Sequence, residues 1–200
     1  MKISEGLERI RLHPGDHYAT NKPVVISTIL GSCVSACMYD PQAGVAGMNH
    51  FLLANRRYAK NMPMNITEAG RYGVHAMELL INDLLKLGAD RRNLRVKVFG
   101  GGAVIEKLEG NNFACVGEVN SRFVEEFIRL EKLRLEASDL GGIKGRVIFF
   151  RTDDYSVYRR YIIPRTTEEV ESDEFEYWRW KVKDNEEKRG TAILFTPPKR

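Results

Sequence analysis

Runs of apolar residues alternate with glycine-, proline- and asparagine-rich breaks along most of the chain. Residues 24–30 form a β-branched apolar run that predicts a buried strand. Residues 34–39 and 45–53 predict two further strands, and the sequence Asp-Pro-Gln-Ala-Gly at 40–44 predicts the turn between them. Four later segments also have strand character, and the last two of them are expected to pair: 94–99, 133–137, 146–150 and 157–163.

Two segments have apolar residues at the spacing of an amphipathic helix. The first covers residues 68–87, with Thr67 as its N-cap and Gly88 at its end. Its apolar stripe consists of Val74, Met77, Leu80, Ile81, Leu84 and Leu87. The second covers residues 118–131 and is expected to bury Phe123, Val124, Phe127 and Leu130. Strands and helices together predict an α/β domain, and the short hairpin-like links favour mixed, largely antiparallel sheets.

The composition of the chain changes once, near Arg165. Residues 1–164 are expected to form the domain, and residues 165–200 a charged C-terminal extension that opens with an acidic run. Residues 191–195 of this extension predict one short strand. With 43% hydrophobic and 29% charged residues among 200, the chain has the balance of a folded protein.

Charge and cysteine content narrow the class of protein further. No apolar run approaches the roughly 20 residues that cross a bilayer, so we expect no membrane insertion. We also expect a cytoplasmic protein with reduced thiols, because three cysteines do not make a disulfide framework and the N-terminal segment lacks an apolar signal region. A formal net charge of +4 without a dense basic stripe does not indicate a nucleic-acid binder.

Cys33 is the candidate nucleophile. It follows a predicted strand and stands directly after Gly31 and Ser32, small residues that admit a substrate and leave backbone N–H groups to bind an oxyanion. A histidine near a thiol stabilises the thiolate and can protonate a leaving group. His50 is the candidate partner, although a buried cysteine and an unrelated, satisfied histidine would produce the same spacing.

The register of the predicted hairpin decides whether His50 can reach Cys33. If Asp40 pairs with Val45, then Ser35 faces His50, and alternation places Cys33 and His50 on one face of the sheet. The two residues would be diagonal neighbours, with Cα atoms roughly 7–8 Å apart. A bulge of one residue would place them on opposite faces.

Residues 27–40 (STILGSCVSACMYD) and 47–53 (GMNHFLL) resemble the CheD family of bacterial chemoreceptor glutamine deamidases. The likeness continues at residues 71–73, 76–78, 97–101 and 139–146, and it spans roughly residues 6–160. The resemblance implies a cysteine hydrolase that converts receptor glutamine to glutamate without a cofactor or metal. It also implies an α/β sandwich of sheets flanked by helices, akin to the catalytic domain of cytotoxic necrotizing toxins.

The resemblance assigns roles to three residues. Cys33 matches the nucleophile of the family and His50 its general acid/base. The third member, usually a threonine six residues before the cysteine, corresponds to Ser27. Thr28 is the alternative if the strand register is shifted, although alternation predicts that its side chain points to the other face. Gly31 and Ser32 are expected to support the oxyanion.

The resemblance also implies partners, namely the cytoplasmic helices of methyl-accepting chemoreceptors and a CheC-type phosphatase. Phe51, Arg56, Arg57 and Arg71 are candidates for a groove edge that contacts an acidic receptor helix, although a solvated loop would have the same sequence. The rival hypothesis is a non-catalytic chemotaxis adaptor that uses this groove to bind receptors or the phosphatase.

Two other features do not indicate a ligand. The cysteines and His50 lack the short paired spacing of structural zinc sites, and we expect Cys37 to pack in the core. Residues 100–102 (Gly-Gly-Gly) lack the lysine and hydroxyl residue of a phosphate-binding loop, so they predict a tight turn.

Overall fold

A computed structural model describes residues 6–53, 68–104 and 114–162, with only the backbone described at 68–70, 114 and 115. The predicted extension at 165–200, including its strand at 191–195, lies outside the described residues, and so does Thr67.

The described residues form nine strands in two sheets. Sheet A has the order β1 (Glu8–Arg11), β3 (Val24–Leu30), β8 (Arg146–Arg151) and β9 (Val157–Tyr161). Sheet B has the order β2 (His17–Thr20), β5 (Val45–Asn49), β4 (Val34–Asp40), β6 (Arg95–Gly100) and β7 (Arg134–Leu140). The β1–β3 and β6–β7 pairs are parallel, and the other neighbours are antiparallel.

The two sheets pack face to face around a shared core, the inter-sheet core. Alternate residues of each strand point into this space, because successive side chains of a strand lie on opposite faces. Sheet A contributes Val24, Ile26, Leu30, Ile148 and Phe150, and sheet B contributes Cys37, Tyr39, Ala46, Met48 and Phe99. The expected pairing of the strands at 146–150 and 157–163 is confirmed as β8 with β9.

The other face of sheet B is covered by α1 (Glu68–Lys86) and α2 (Ala114–Leu130). Four members of the predicted stripe of α1 are fully buried against the sheet: Met77, Leu80, Ile81 and Leu84. Neither described helix is both long and apolar enough to cross a membrane. The predicted α/β class, with mixed and largely antiparallel sheets in a sandwich with helices, is confirmed.

Three details of the predicted elements are wrong. Leu87 is 38% exposed because α1 ends one residue before it, and Leu130 is 50% exposed because Ile128 takes the inward position on α2. The strands β1 and β2 were not predicted. Each has only four residues, and neither has the continuous apolar pattern of β3.

Candidate active site

The hairpin of β4 and β5 has the predicted register. Asp40 pairs with Val45, and the same register continues to an isolated bridge one residue beyond Cys33. Because no bulge intervenes, Cys33 and His50 lie on one face of sheet B, the face that is turned toward sheet A. Cys33 is fully buried in the inter-sheet core, and only 2% of the surface of His50 is exposed.

Side chains take part in the hydrogen bonds between β4 and β5 close to Cys33 and His50. The backbone N–H of Ala36 donates to Oδ1 of Asn49 at 2.9 Å, and the Ser35 hydroxyl donates to the Asn49 carbonyl at 2.5 Å. The four polar groups are buried, so these bonds satisfy them. The strand that ends just before His50 is therefore held by specific side chains as well as by the backbone.

The imidazole of His50 is oriented by a residue of the opposite sheet. Its Nδ1 lies 2.7 Å from the Thr28 hydroxyl oxygen, and this hydroxyl donates to the Leu12 carbonyl at 2.8 Å. A threonine hydroxyl has one hydrogen, which the carbonyl takes, so Nδ1 must carry a proton and donate to Thr28. The neutral ring therefore has its basic lone pair on Nε2.

The assignment of the orienting hydroxyl to Ser27 is corrected by this contact. Thr28 points into the inter-sheet core with Ile26 and Leu30, which lie two residues before and after it on β3. The Ser27 hydroxyl lies on the outer face of sheet A, where it donates to the Ile10 carbonyl at 3.3 Å. The expectation that the Thr28 side chain points away from the site is therefore wrong, and the pattern of β3 gave no warning because nearly every position of the strand is buried.

The environment of His50 keeps its ring neutral. Burial lowers the pKa of His50 to about 3, the charge of nearby His13 acts in the same direction, and a bond with the Leu12 carbonyl opposes both. Nε2 is buried and has no hydrogen-bond partner among the described residues. This arrangement presents an unoccupied lone pair in the same inter-sheet space as the Cys33 side chain.

The turn that carries Cys33 is held by hydrogen bonds at three successive carbonyls. The carbonyls of residues 31–33 accept, in order, from Gly102 N at 2.8 Å, Asn120 Nδ2 at 2.7 Å and Gly101 N at 2.7 Å. In a trans peptide the N–H points away from the C=O, so these bonds also fix the directions of the Ser32 and Cys33 N–H groups.

The predicted tight turn at 100–102 packs directly against Cys33. Gly100 has a φ of +119°, and a Cβ atom there would collide with the Cys33 carbonyl. Gly101 has a φ of +67° and packs against α2 at Gly117, where an added Cβ would lie 2.5 Å from the Gly101 carbonyl oxygen. The turn therefore requires glycine because it lies between Cys33 and the helix.

The motif at 139–146 encloses the same turn from the other side. Gly141 N donates to the Gly100 carbonyl at 2.9 Å, and Ala103 N donates to the Gly142 carbonyl at 2.8 Å. The buried guanidinium of Arg146 shapes this loop, since it donates to the carbonyls of Asp139 and Gly141. The residues that matched the family beyond Cys33 thus support its turn indirectly.

The chain is similar in sequence to known proteins. A sequence model described as "CheD chemotactic sensory transduction" matches residues 52–161. The "Probable chemoreceptor glutamine deamidase CheD 1" of Geobacter sulfurreducens is 48% identical over 194 residues, which is 96% of each chain. The chain belongs to the CheD family. The "Probable chemoreceptor glutamine deamidase CheD 2" of Shewanella oneidensis is 44% identical over 186 residues, 92% of this chain and 91% of its own.

The Geobacter relative spans the candidate site even though the family match at 52–161 begins after it. An alignment over 194 of 200 residues necessarily includes both Cys33 and His50. A third relative, the "Probable chemoreceptor glutamine deamidase CheD" of Herminiimonas arsenicoxydans, is 47% identical over 140 residues, 70% of this chain and 66% of its own.

The structure describes two of the four residues expected to contact a CheD substrate, Phe51 and Arg71. Phe51 is fully buried on the helix face of sheet B, where its ring packs edge-on against Phe123 with centroids 5.8 Å apart. Its expected role in substrate contact is wrong, because the residue after His50 points to the opposite face. Arg71 is exposed on α1, and Arg56 and Arg57 lie outside the described residues.

Cys37, the second described cysteine of this CheD-family chain, packs in the core as expected. Cys37 is fully buried in the inter-sheet core, and burial raises the pKa of its thiol well above the usual range, against the smaller opposing effects of Lys97 and Ser35. Within residues 6–53, 68–104 and 114–162, no group of three or more potential ligands could hold a metal ion. The side chain of Cys115 lies outside the described residues.

Proposed function

We propose that this chain is a chemoreceptor glutamine deamidase, which hydrolyses the side-chain amide of receptor glutamines to glutamate and ammonia. The observation that carries the proposal is the neutral, buried His50 ring, whose Nε2 lone pair is free to take a proton on the Cys33 face of sheet B. The printed names of the relatives, each a probable chemoreceptor glutamine deamidase, supply the substrate class.

The first half of the reaction forms a thioester. His50 Nε2 takes the proton of the Cys33 thiol, and the thiolate attacks the carboxamide carbon of the substrate glutamine. The carbonyl oxygen becomes an oxyanion, which the N–H groups of Ser32 and Cys33 stabilise in the turn that begins at Gly31. The intermediate collapses as the imidazolium gives its proton to the amide nitrogen, and ammonia leaves.

The second half regenerates the enzyme. A water molecule gives a proton to Nε2 of His50 and attacks the thioester carbon. The carbon–sulfur bond breaks, the glutamate side chain is released, and the imidazolium returns its proton to Cys33. Thr28 holds the ring through both halves by accepting from Nδ1, which keeps Nε2 as the nitrogen that exchanges protons.

Mass spectrometry of a receptor fragment tests the proposal. The cytoplasmic helices of a methyl-accepting chemoreceptor are incubated with the full chain, and the mass gain of the amide-to-acid conversion is sought at glutamine. Loss of the acid/base group in His50→Ala should lower the rate about 10²–10⁴-fold. We expect Cys33→Ala to have no detectable activity and Cys37→Ala to keep it.

The rival adaptor hypothesis makes a different prediction in this assay. A non-catalytic adaptor would bind the receptor fragment, yet the wild-type chain would cause no mass change at any glutamine. Turnover by Cys33→Ala close to that of the wild type would refute the cysteine mechanism.

The proposal also includes a cellular compartment and a second protein partner. We infer the cytoplasm, because the receptor helices that carry the target glutamines are cytoplasmic in the family that the chain belongs to. We also infer binding of a CheC-type phosphatase at the substrate surface. Adding purified phosphatase to the assay should then slow deamidation, and an unchanged rate at saturating phosphatase would contradict shared binding.

A further inference from the structure

Asn120 lies on α2, yet it bonds to the chain on both sides of the candidate site. Its side chain is fully buried. Nδ2 donates to the Ser32 carbonyl at 2.7 Å, and Oδ1 accepts from the Leu53 backbone N–H at 2.8 Å. Ser32 precedes Cys33, and Leu53 lies three residues after His50. We infer that Asn120 is a positioning residue, which fixes the nucleophile turn against the segment that carries the histidine.

The need for such a connection follows from the strand pairing. The continuous ladder of β4 and β5 ends at Cys37 with Met48, and the described backbone pairing beyond it is the bridge of Val34 with Phe51. Cys33 lies outside that bridge. The amide of Asn120 therefore supplies a second link between the two chain segments at the point where the sheet no longer aligns them.

Helix α2, which carries Asn120, is itself packed tightly against the glycine turn at residues 100–102. Gly117 of α2 packs so closely on the glycine turn that an added Cβ would lie 2.5 Å from the Gly101 carbonyl oxygen. Gly101 in turn donates its N–H to the Cys33 carbonyl at 2.7 Å. Asn120 lies on the same region of α2, so helix, glycine turn and nucleophile turn form one packed unit.

The chemistry of the link requires one donor and one acceptor on the same group. The group that Nδ2 meets is the Ser32 carbonyl, an acceptor, and the group that Oδ1 meets is the Leu53 N–H, a donor, so the Asn120 amide has one orientation. An ionised aspartate would keep the bond to Leu53 but would place a negative charge against the Ser32 carbonyl. A protonated aspartate has a hydroxyl donor and a carbonyl acceptor, and it would restore both bonds.

This difference gives a test that a merely structural role would not satisfy. Asn120→Asp is compared with the wild type between pH 5.5 and 8.5, because burial raises the pKa of a carboxyl and brings its change between protonated and ionised forms toward this range. We measure kcat and KM on the receptor fragment, and separately the rate at which iodoacetamide alkylates Cys33. At high pH, kcat should fall about 10- to 100-fold with KM little changed. The deficit should shrink as the pH falls and the carboxyl is protonated.

Two further variants control for stability. Asn120→Ala lacks both bonds and cannot titrate, so it should show the same loss of kcat without recovery at low pH. Thr152→Val removes a buried hydroxyl that donates to the Lys22 carbonyl at 2.7 Å, near the start of β3 and so at the opposite end of that strand from Cys33. It should lower the urea midpoint but leave Cys33 alkylation per folded molecule unchanged.

The inference rests on the proposed function for its kcat readout but not for its alkylation readout. If the wild type releases no ammonia while Cys33 alkylation still follows the state of residue 120, the proposed function fails and the positioning role stands. If folded Asn120→Ala and Asn120→Asp both alkylate at the wild-type rate, the positioning role is overturned. A loss that tracks only the folded fraction overturns it as well.

Discussion

The inter-sheet core holds two buried cysteines with different surroundings. Cys33 and Cys37 are both fully buried, and both belong to the core between the sheets. The Cys37 end of this core is aromatic, with Tyr39 stacked on Tyr155 at 4.4 Å and Phe150 nearby at 6.5 Å from Tyr39. The Cys33 end is polar and contains a neutral imidazole held by a hydroxyl from the opposite sheet.

Burial alone does not make a thiol reactive. Burial disfavours the thiolate, as the raised pKa of Cys37 illustrates. A buried cysteine becomes a nucleophile only if a base is placed to take its proton at the moment of attack. In the proposed mechanism His50 is this base, and its own burial keeps it unprotonated.

The largest expected effect is a difference in thiol reactivity between the two cysteines. Iodoacetamide at pH 7.5 should alkylate Cys33 at least about 100-fold faster than Cys37, because only Cys33 lies at the end of the core that contains the His50 imidazole. Peptide mapping by mass spectrometry after timed quenching measures both rates in one sample.

His50→Gln tests whether the imidazole causes the difference in reactivity between the two cysteines. It removes the proton acceptor, so it should slow alkylation of Cys33 and leave that of Cys37 unchanged. Equal rates for the two cysteines in the wild type would end the claim that the two ends of the core differ chemically.

A smaller effect is expected at the hydroxyl that orients the ring. Thr28→Val keeps the shape of the side chain but removes the acceptor for Nδ1–H, so the ring can rotate or change tautomer. We expect kcat for deamidation to fall about 10- to 100-fold. The pH profile should change with it, because the basic nitrogen is no longer defined.

Ser27→Ala is the matched control for that substitution. Ser27 precedes Thr28 on the same strand, but its hydroxyl bonds to the Ile10 carbonyl on the outer face of sheet A. Its loss should leave kcat near the wild-type value. A larger loss of kcat in Ser27→Ala than in Thr28→Val would restore the assignment that the family pattern suggested.

The smallest effect concerns stability in acid. The pKa of His50 is about 3 in the folded chain, below its usual value, so the unfolded state binds the proton first as the pH falls. The free energy of unfolding should therefore decrease from about pH 6.5 downward to about pH 3, by up to about 1.4 kcal/mol per pH unit from this group. Above that range the ring is neutral in both states and contributes no pH dependence.

Urea unfolding at pH 7 and pH 5 measures this contribution. His50→Gln lacks the titrating ring, so its stability should fall less between the two pH values than that of the wild type. His75→Gln, which changes an exposed imidazole on α1, serves as the comparison. Identical pH dependence in wild type and His50→Gln would contradict a buried neutral histidine.

Local sequence was enough to predict the central hairpin. The turn sequence at 40–44 set the pairing of Asp40 with Val45, and counting along two strands placed Cys33 and His50 on one face. The same count puts Phe51 on the other face, so its proposed substrate contact conflicted with the register already predicted. Strand alternation is reliable wherever the turn defines the register.

Contacts between distant segments were not predictable in this way. The run of β3 is apolar on both faces because sheet B covers one of them and the other is also largely buried, so its pattern did not reveal that Thr28 faces inward. Asn120 carries no local signal either, since its partners lie 88 and 67 residues away in sequence. The relation to the toxin domains stays a prediction.

The position of Thr28 on the opposite sheet has a consequence for biosynthesis. A chain that has formed β4 and β5 but has not yet docked sheet A contains the thiol and the imidazole, but nothing sets the tautomer of the ring. In the proposed mechanism, both sheets must therefore be docked before His50 can act as the base.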